Sequence, residues 1–318
     1  MEETAEALSV DPAVAASATG APDAGAAGPR PSLVVSDLDG TLLTSADRVS
    51  PRTREVIGRV VASGVRFIPA SGRPARWMLP VTEQLGIAPV CVCANGAVVY
   101  DAAADRITYA AELAPGVLHR VARAILDATA APLARRGLGP VSFAVERAGT
   151  SAFDRASELF AVEPAYPHAW DTDEHAVETR DGLLAKPAVK LLVRHGHMLS
   201  ADMFDLVNPV VDPSDAHVTW SFHGGLLEVN VPGVTKLSGL AHALGDASGT
   251  DVGVDAVPSI DPATVVAFGD MPNDLAMLRW AGYGFAMGNA VDEVVAATGH
   301  HTGTNDEDGV AQVLERWF

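Results

Sequence analysis

Short runs rich in β-branched residues alternate with helical patterns in the first part of the chain. Residues 33–35, 65–68 and 90–94 are dominated by such apolar residues, which predicts three buried strands. A helix is predicted between the first two, beginning at Ser50 and Pro51 and ending at Gly64, because apolar residues recur between them at helical spacing. Pro74 opens a second helical stretch. These three alternations of strand and helix predict a parallel sheet with crossover helices.

The alternation of strand and helix patterns returns near the C-terminus. The section between the two parts has a different pattern of helices and strands. Residues 264–268 predict a fourth buried strand, and the helix after it ends at Gly282. The middle section combines an amphipathic helix at 117–128 with strand-like runs at 141–143, 189–193 and 226–229. We therefore predict an α/β fold: a doubly wound, Rossmann-like parallel sheet from residues 32–101 and 230–318, with an inserted α+β cap domain at 102–229.

Composition narrows the classes of function. The chain has 318 residues, with 22 lysines and arginines against 40 acidic residues, a net charge of −18 that opposes binding to nucleic acid or to an anionic membrane. Residues 1–31 are rich in Ala, Gly, Pro, Ser and Thr and predict a disordered tail without an assigned role. No apolar run is long enough for a bilayer, and Cys91 and Cys93 form no disulfide framework. We expect a cytoplasmic protein of undetermined oligomeric state.

Acidic residues follow two of the predicted core strands. Asp37 and Asp39 come after the first strand, and Asp270 and Asp274 come after the fourth, with Asp47 as a further candidate. Because ligands bind beyond the carboxyl ends of strands in open parallel sheets, we expect these side chains to converge in one crevice. Several close carboxylates need a compensating cation, and an all-oxygen set of ligands favours Mg²⁺.

A lysine at a predicted helix N-terminus gives a second indication of chemistry. Lys236 follows a turn at Gly233 and begins a helical stretch, where the helix dipole disfavours a cation unless an anion is bound nearby. Magnesium with a lysine at a helix N-terminus is typical of phosphoryl transfer. The sequence has neither a G-x-S-x-G motif nor a P-loop, so a strand-end aspartate is the candidate nucleophile.

Several motifs in order resemble those of the haloacid dehalogenase-like hydrolases, and more narrowly of the Cof-type sugar-phosphate phosphatases. The resemblance spans residues 32–318 approximately. Its motifs are DLDGTLL at 37–43, ASGRP at 70–74, ANGA at 94–97, Lys236, GDMPNDLAML at 269–278, MGNA at 287–290 and NDEDGVA at 305–311.

The resemblance implies roles for the four aspartates. Asp37 would be the nucleophile and a magnesium ligand. Asp39 would protonate the leaving oxygen, then deprotonate the attacking water, and would offer its backbone carbonyl to the metal. Asp270 would bind magnesium directly, and Asp274 would bind or orient it.

The resemblance also implies a phosphate-binding set. Ser71, Gly72 and Lys236 would hold the transferring phosphoryl group, and Asn273 would donate to phosphate. The inserted module would be a mobile cap that closes over the core and contacts the leaving group. The implied function is Mg²⁺-dependent hydrolysis of small phosphorylated metabolites, and sugar phosphates are the favoured substrates.

The sequence departs from the family pattern at two places, and two alternative functions stay open. Leu237 follows Lys236 where the subfamily usually has glycine, and residues 245–262 form a long polar connection interpreted as a surface insertion without a role. A phosphomutase and a non-catalytic regulatory module that binds phosphometabolites are the alternative functions.

The sequence leaves the roles of a few further residues open. Asn95 is either a turn former or a contact at the cap hinge. The favoured interpretation of His223, Glu228 and Asn230 is an ordinary strand surface, although they could face the crevice.

Overall fold

A computed structural model describes residues 29–169, 174–245 and 257–318. Its strands are β1 (Leu33–Ser36), β2 (Arg66–Pro69), β3 (Val90–Cys93), β4 (Val98–Asp101), β5 (Arg106–Ala110), β6 (Ser142–Glu146), β7 (Phe160–Val162), β8 (Ala176–Val177), β9 (Lys190–Arg194), β10 (His217–Thr219), β11 (Leu226–Asn230), β12 (Val265–Gly269), β13 (Tyr283–Ala286) and β14 (His300–His301). Its helices are α1 (Pro51–Ala62), α2 (Leu79–Leu85), α3 (Pro115–Arg135), α4 (Ala156–Leu159), α5 (Arg180–Leu184), α6 (Ser200–Val207), α7 (Lys236–Ala243), α8 (Leu275–Trp280), α9 (Asp292–Ala297) and α10 (Gly309–Leu314).

The core is a parallel sheet in the order β14-β13-β12-β1-β2, with helices on both faces. Alternate strand residues point to opposite faces: Val34 packs in the cluster that includes α1 and α10, whereas Leu33 and Val35 pack with α7, α8 and α9. Ser50 caps α1, its hydroxyl accepting the Thr53 amide at 3.0 Å. The predicted doubly wound α/β fold is confirmed.

The structure differs from the predicted element pattern at several places, and the short strands β7, β8, β10 and β14 were not predicted. The third predicted alternation is wrong, because β3 is followed by the antiparallel hairpin of β4 and β5 instead of a helix; a single parallel bridge between Ala70 and Val92 connects β3 to β2. The strand β13 was not predicted either. Its Gly284 lies where a Cβ would overlap the Leu278 carbonyl, so close packing against α8 requires a glycine that weakens the strand pattern.

A second sheet is formed by the middle of the chain, in the order β10-β11-β9-β6-β7-β8. One face packs against α3, α5 and α6 through a separate apolar cluster, and the other face is turned towards the core loops. The hairpin of β4 and β5 runs across the predicted boundary at residue 101, so the domain limits at 101/102 and 229/230 stay a prediction. We call the unit formed by this sheet and its helices the cap.

Two predicted segments lie mostly outside the described residues. These are the tail at 1–31, of which 1–28 is not described, and the connection at 245–262, of which 246–256 is not described. Among the residues that are described, no helix combines the length and apolar character that a bilayer span requires.

Candidate active site

The site lies where the direction of strand order reverses. The chain runs outward from β1 to β2 on one side, and from β12 to β13 and β14 on the other, so β1 and its two neighbours meet at the switch point. The loops after β1, β2 and β12 carry Asp37, Ser71 and Asp270 respectively. Crevices at such points bind ligands in open α/β sheets, as the sequence predicted.

A buried lysine joins the first strand loop to the last. The Lys236 Nζ lies 2.7 Å from an oxygen of Asp37 and 2.7 Å from an oxygen of Asp274. The second Asp274 oxygen accepts the backbone amides of Asp270 and Met271, each at 3.0 Å. Burial would lower the pKa of Lys236, but Asp274 and Asp37 together raise it above its ordinary value. The lysine is therefore a fixed positive charge between two carboxylates.

The helix that presents this lysine begins where the sequence predicted. Thr235 and Ser238 form a capping box at the start of α7, and Leu237, in place of the family's usual glycine, is half-buried. Glycine occurs instead at Gly239, where a Cβ would overlap the Cα of Gly96. The close approach of α7 to the turn after β3 is thus kept, and with it the position of Lys236.

Three buried carboxylates form an acidic cluster. Asp37, Asp270 and Asp274 each offer an oxygen, and these oxygens lie within 4.8 Å of one another. Burial, reinforced by Asp274, raises the pKa of Asp270 to about 7, and the same two causes raise the pKa of Asp37 well above its usual range. Such crowding favours a bound cation, and a set of carboxylate oxygens suits Mg²⁺.

Glycine and threonine fix the position of the Asp270 carboxylate. The Thr41 hydroxyl donates to one Asp270 oxygen at 2.9 Å. Gly40 has φ +74°, and a Cβ at that position would overlap the other carboxylate oxygen. The turn Leu38–Leu42 can therefore lie against Asp270 only with glycine at this position.

Asp39 lies apart from the acidic cluster. Its side chain is 55% exposed and pairs with Arg73, whose guanidinium also reaches Asp47 at 2.6 Å. Desolvation opposes the charge of Arg73, but the hydrogen bonds that its guanidinium donates to the carboxylates of Asp39 and Asp47 leave its pKa above the ordinary value. Arg73 belongs to the ASGRP motif at 70–74, but no role was predicted for it, and nothing in the sequence indicated its pairing with Asp39.

Of the predicted phosphate-binding residues, Gly72 and Asn273 line the cavity between core and cap, whereas Ser71 and Lys236 are buried and do not line it. Ser71 is fully buried, and its hydroxyl accepts the Arg73 amide at 3.0 Å. Asn273 is buried, and its Nδ2 donates to the Asn95 Oδ1 at 3.0 Å, while its own Oδ1 has no partner among the described residues.

A network of buried polar groups connects the core to the cap. The Asn95 Nδ2 donates to Glu228 at 3.1 Å, and Lys190 pairs with Glu228 at 2.5 Å while also donating to the Gly72 carbonyl at 2.8 Å. Although burial raises the pKa of Glu228, Lys190, Asn95 and Ser221 lower it below its ordinary value. Asn95 is thus a contact between core and cap.

The network corrects the favoured interpretation of the last cap strand. Glu228 and Asn230 are buried and bonded towards the core, the latter through its Nδ2 to the Ala94 carbonyl, so they are not ordinary strand surface. His223 is exposed, and its ring lies edge-on to Trp220 with 5.4 Å between centroids. Sequence alone could not show these contacts, because Asn95 and Glu228 are 133 residues apart.

A cavity of about 450 Å³ lies between the core loops and the cap. Asp37, Asp39, Gly72 and Asn273 line its core side, together with Arg73. The cap side is lined partly by charged residues and partly by aromatic and aliphatic ones. The arrangement can hold an anion beside Asp37 and the rest of a small molecule beneath the cap.

Comparison with known proteins agrees with this geometry. Residues 34–314 match the family model for haloacid dehalogenase-like hydrolases. The chain belongs to this family. The predicted membership and the predicted class of enzyme, a phosphatase of the haloacid dehalogenase type, are confirmed.

Individual relatives match over almost the whole chain. A relative from Haemophilus influenzae is 30% identical over 290 residues, which cover 90% of this chain and 97% of the relative. The 5-amino-6-(5-phospho-D-ribitylamino)uracil phosphatase YitU of Bacillus subtilis is 27% identical, with 91% and 98% covered. A haloacid dehalogenase-like hydrolase from Bacteroides thetaiotaomicron, solved by crystallography, superposes with a TM-score of 0.65 at 25% identity, covering 91% and 100%.

Proposed function

We propose that the protein is a Mg²⁺-dependent phosphomonoester hydrolase that acts on small phosphorylated metabolites through an aspartyl-phosphate. The observation that carries this proposal is the position of Lys236 between Asp37 and Asp274, with Asp270 alongside. Sugar phosphates are the substrate class that the resemblance to Cof-type phosphatases implies, and they are the first substrates to test.

Asp37 is the proposed nucleophile. Its carboxylate attacks phosphorus, forming a P–O bond to Asp37 while the bond from phosphorus to the ester oxygen breaks. Lys236, 2.7 Å away, keeps a positive charge beside the carboxylate and the incoming phosphoryl group. Bound Mg²⁺, held by Asp37, Asp270 and Asp274, would supply the further positive charge that keeps these carboxylates ionised and offsets the charge of phosphate.

Asp39 is the proposed proton carrier. It gives its proton to the departing ester oxygen, and then accepts a proton from the water that attacks the phosphoryl group on Asp37. The second displacement releases inorganic phosphate and regenerates both carboxyl groups. Exposure of Asp39 on the cavity wall supports this role, because an accessible side chain can reach the leaving group.

Ser71, Gly72 and Asn273 are proposed to hold the phosphoryl oxygens. The Ser71 hydroxyl accepts the Arg73 amide and keeps its own proton for donation. Asn95 accepts from the Asn273 Nδ2, which leaves the second hydrogen of that amide nitrogen for the substrate.

Release of phosphate from 4-nitrophenyl phosphate tests the proposal. We expect turnover with Mg²⁺, little turnover in EDTA, and loss of turnover in Asp37→Asn, whose fold should be retained because the substitution keeps the shape of the side chain. Substantial activity of Asp37→Asn would remove Asp37 as the nucleophile.

Two alternative functions give different experimental outcomes. A phosphomutase would convert a sugar phosphate into an isomeric phosphate ester instead of free phosphate. A non-catalytic regulatory module would bind a sugar phosphate without any turnover. Product analysis by ³¹P NMR, with calorimetric titration of the same compounds, separates these two outcomes from hydrolysis.

A further inference from the structure

Two asparagines near the C-terminus contact the loop that follows β1. Asn289 lies after β13 and Asn305 lies after β14, within the MGNA and NDEDGVA motifs, and no role was predicted for either residue. The Asn289 Nδ2 donates to the Gly40 carbonyl at 2.8 Å, and the Asn305 Nδ2 donates to the Leu43 carbonyl at 2.9 Å. We call these two asparagines the asparagine clamp.

The two residues of the clamp also bind each other. The Asn289 Oδ1 accepts the backbone amide of Asn305 at 3.0 Å, so the oxygen of this side chain faces Asn305 and its nitrogen faces Gly40. A third contact lies beside them, where Asp306 accepts the Ser45 amide at 2.8 Å. The loop after β1 is thus held at three successive points by the C-terminal part of the chain.

The first of these contacts is made to the residue that follows Asp39. Gly40 has φ 74° and ψ 2°, and because glycine has the widest choice of backbone conformations, an outside hydrogen bond helps its peptide to keep one orientation. The Asp39 side chain is 55% exposed and is bonded to Arg73, so packing restricts it little. The position of the Asp39 carboxyl group therefore depends on the backbone that the clamp holds.

Asp37 and Asp270 have supports that do not involve the clamp. The backbone amide of Asp37 donates to the Phe268 carbonyl of β12 at 3.0 Å. Asp270 is buried, and its carboxylate accepts the Thr41 hydroxyl at 2.9 Å. Loss of the clamp should therefore displace Asp39 more than it displaces the acidic cluster.

We propose that Asn289 and Asn305 are positioning residues for Asp39: they hold the loop after β1 so that the Asp39 carboxyl group reaches the departing ester oxygen. The inference rests on the proposed function, in which Asp39 protonates that oxygen. The position of a proton donor matters most when the leaving oxygen is strongly basic, because a weakly basic oxygen departs without a proton. Loss of the clamp should therefore slow the hydrolysis of esters with basic leaving groups selectively.

Two aryl esters of similar shape test the inference. Phenolate is far more basic than 4-nitrophenolate, so phenyl phosphate depends on a proton donor much more than 4-nitrophenyl phosphate does. In Asn289→Asp the side chain keeps its shape and its bond to Asn305, but an oxygen replaces the nitrogen that faces Gly40. We expect kcat/KM to fall by about 10- to 100-fold for phenyl phosphate and by less than about threefold for 4-nitrophenyl phosphate. The value of kcat/KM reports the steps up to phosphoryl transfer to Asp37, so the later hydrolysis, common to both esters, does not affect it.

Further variants separate positioning of Asp39 from general damage to the site. Asn289→Ala removes the same hydrogen bond without adding a charge and should favour 4-nitrophenyl phosphate in the same way. Asn305→Asp provides the test at the second residue of the clamp, should the Asn289 variants fold poorly. Asn208→Asp, at an exposed position of the cap, is the matched control and should change neither value. Asp39→Asn should also slow phenyl phosphate selectively, and adding Asn289→Asp to it should have no further effect, because no proton donor is left to position.

The outcomes separate this inference from the proposed function. If the clamp variants slow both esters equally or not at all, or if Asn289→Asp lowers kcat/KM as much with Asp39→Asn as without it, the clamp does not act through Asp39 and the phosphatase stands. If Asp39→Asn slows both esters equally, Asp39 is not the proton donor, and the inference is wrong together with that assignment. If the unmodified protein releases phosphate from neither ester, the proposed function itself fails.

Discussion

At the scale of single residues, the acidic cluster depends on a glycine as well as on its carboxylates. Gly40 combines a positive φ with contact to Asp270, whereas Gly64 has a positive φ and no atom within 4 Å of the position that a Cβ would take. The pair therefore separates the backbone strain of an added methyl group from its overlap with the site.

Gly40→Ala should lose activity, and Gly64→Ala should not. Both variants should lose about 1–2 kcal/mol in the free energy of unfolding, because alanine disfavours the left-handed region. Only Gly40→Ala displaces Asp270, so its phosphate release should fall by about 100-fold. Urea denaturation and steady-state assays measure the two effects; equal activity of both variants would contradict the role of this contact.

Lys236 is the residue on which the electrostatics of the site depends most. Lys236→Met should lower turnover by about 100-fold or more, because the charge beside Asp37 is removed. It should also lower the free energy of unfolding by about 3–5 kcal/mol, since Asp37 and Asp274 lose their buried partner. Lys186→Met, at an exposed position, is the control and should change neither quantity; wild-type turnover by Lys236→Met would refute this account.

At the scale of elements, β11 and the turn after β3 are coupled through side-chain amides. Glu228 as a carboxylate can only accept hydrogen bonds, so Asn95 presents its Nδ2 to it and its Oδ1 to Asn273. The orientation of the Asn273 amide at the phosphate end is thereby fixed by a residue of the cap.

Asn95 connects Glu228 to Asn273, and removing its side chain should impair catalysis more than folding. Asn95 has φ 59° and ψ 28°, a conformation that glycine adopts without strain, so Asn95→Gly should keep the backbone of the turn. We expect kcat/KM to fall by roughly 10- to 100-fold as Asn273 loses its orientation. An unchanged kcat/KM in a folded Asn95→Gly variant would show that the hydrogen bonds of Asn95 to Glu228 and Asn273 have no part in the reaction.

The elements that sequence analysis predicted are those whose signals are local. Ser50 and Gly64 predicted where α1 begins and ends. Asp37 and Asp270, which follow apolar runs, predicted the functional loops after β1 and β12. The hairpin of β4 and β5 and the strand β13 were missed, since tertiary pairing and a packing glycine decided them. The contacts between core and cap could not be predicted from sequence, because they join residues that are far apart in the chain.

At the scale of the whole molecule, a net charge of −18 opposes an anionic substrate. The residues of the acidic cluster add to that repulsion at the place where phosphate must bind, and Lys236 offsets only part of it. Capture of the substrate should therefore depend on the metal as well as on the shape of the cavity.

Removal of the metal should weaken binding and not only chemistry. In calorimetric titrations, inorganic phosphate should bind with an affinity at least about tenfold lower in EDTA than with Mg²⁺, and Asp270→Asn should reduce the difference. The matched control is Asp181→Asn, at an exposed position of the cap. Equal affinity with and without Mg²⁺ would contradict a metal at the acidic cluster.

The proposed mechanism requires Asp37 to carry the phosphoryl group during turnover. This phosphoryl group can be detected by acid quenching of the enzyme during turnover, followed by mass spectrometry of its peptides. We expect one phosphoryl group on the peptide that contains Asp37, absent without substrate and absent in Asp37→Asn. Turnover at the full rate with that peptide unmodified at every quench time would contradict it.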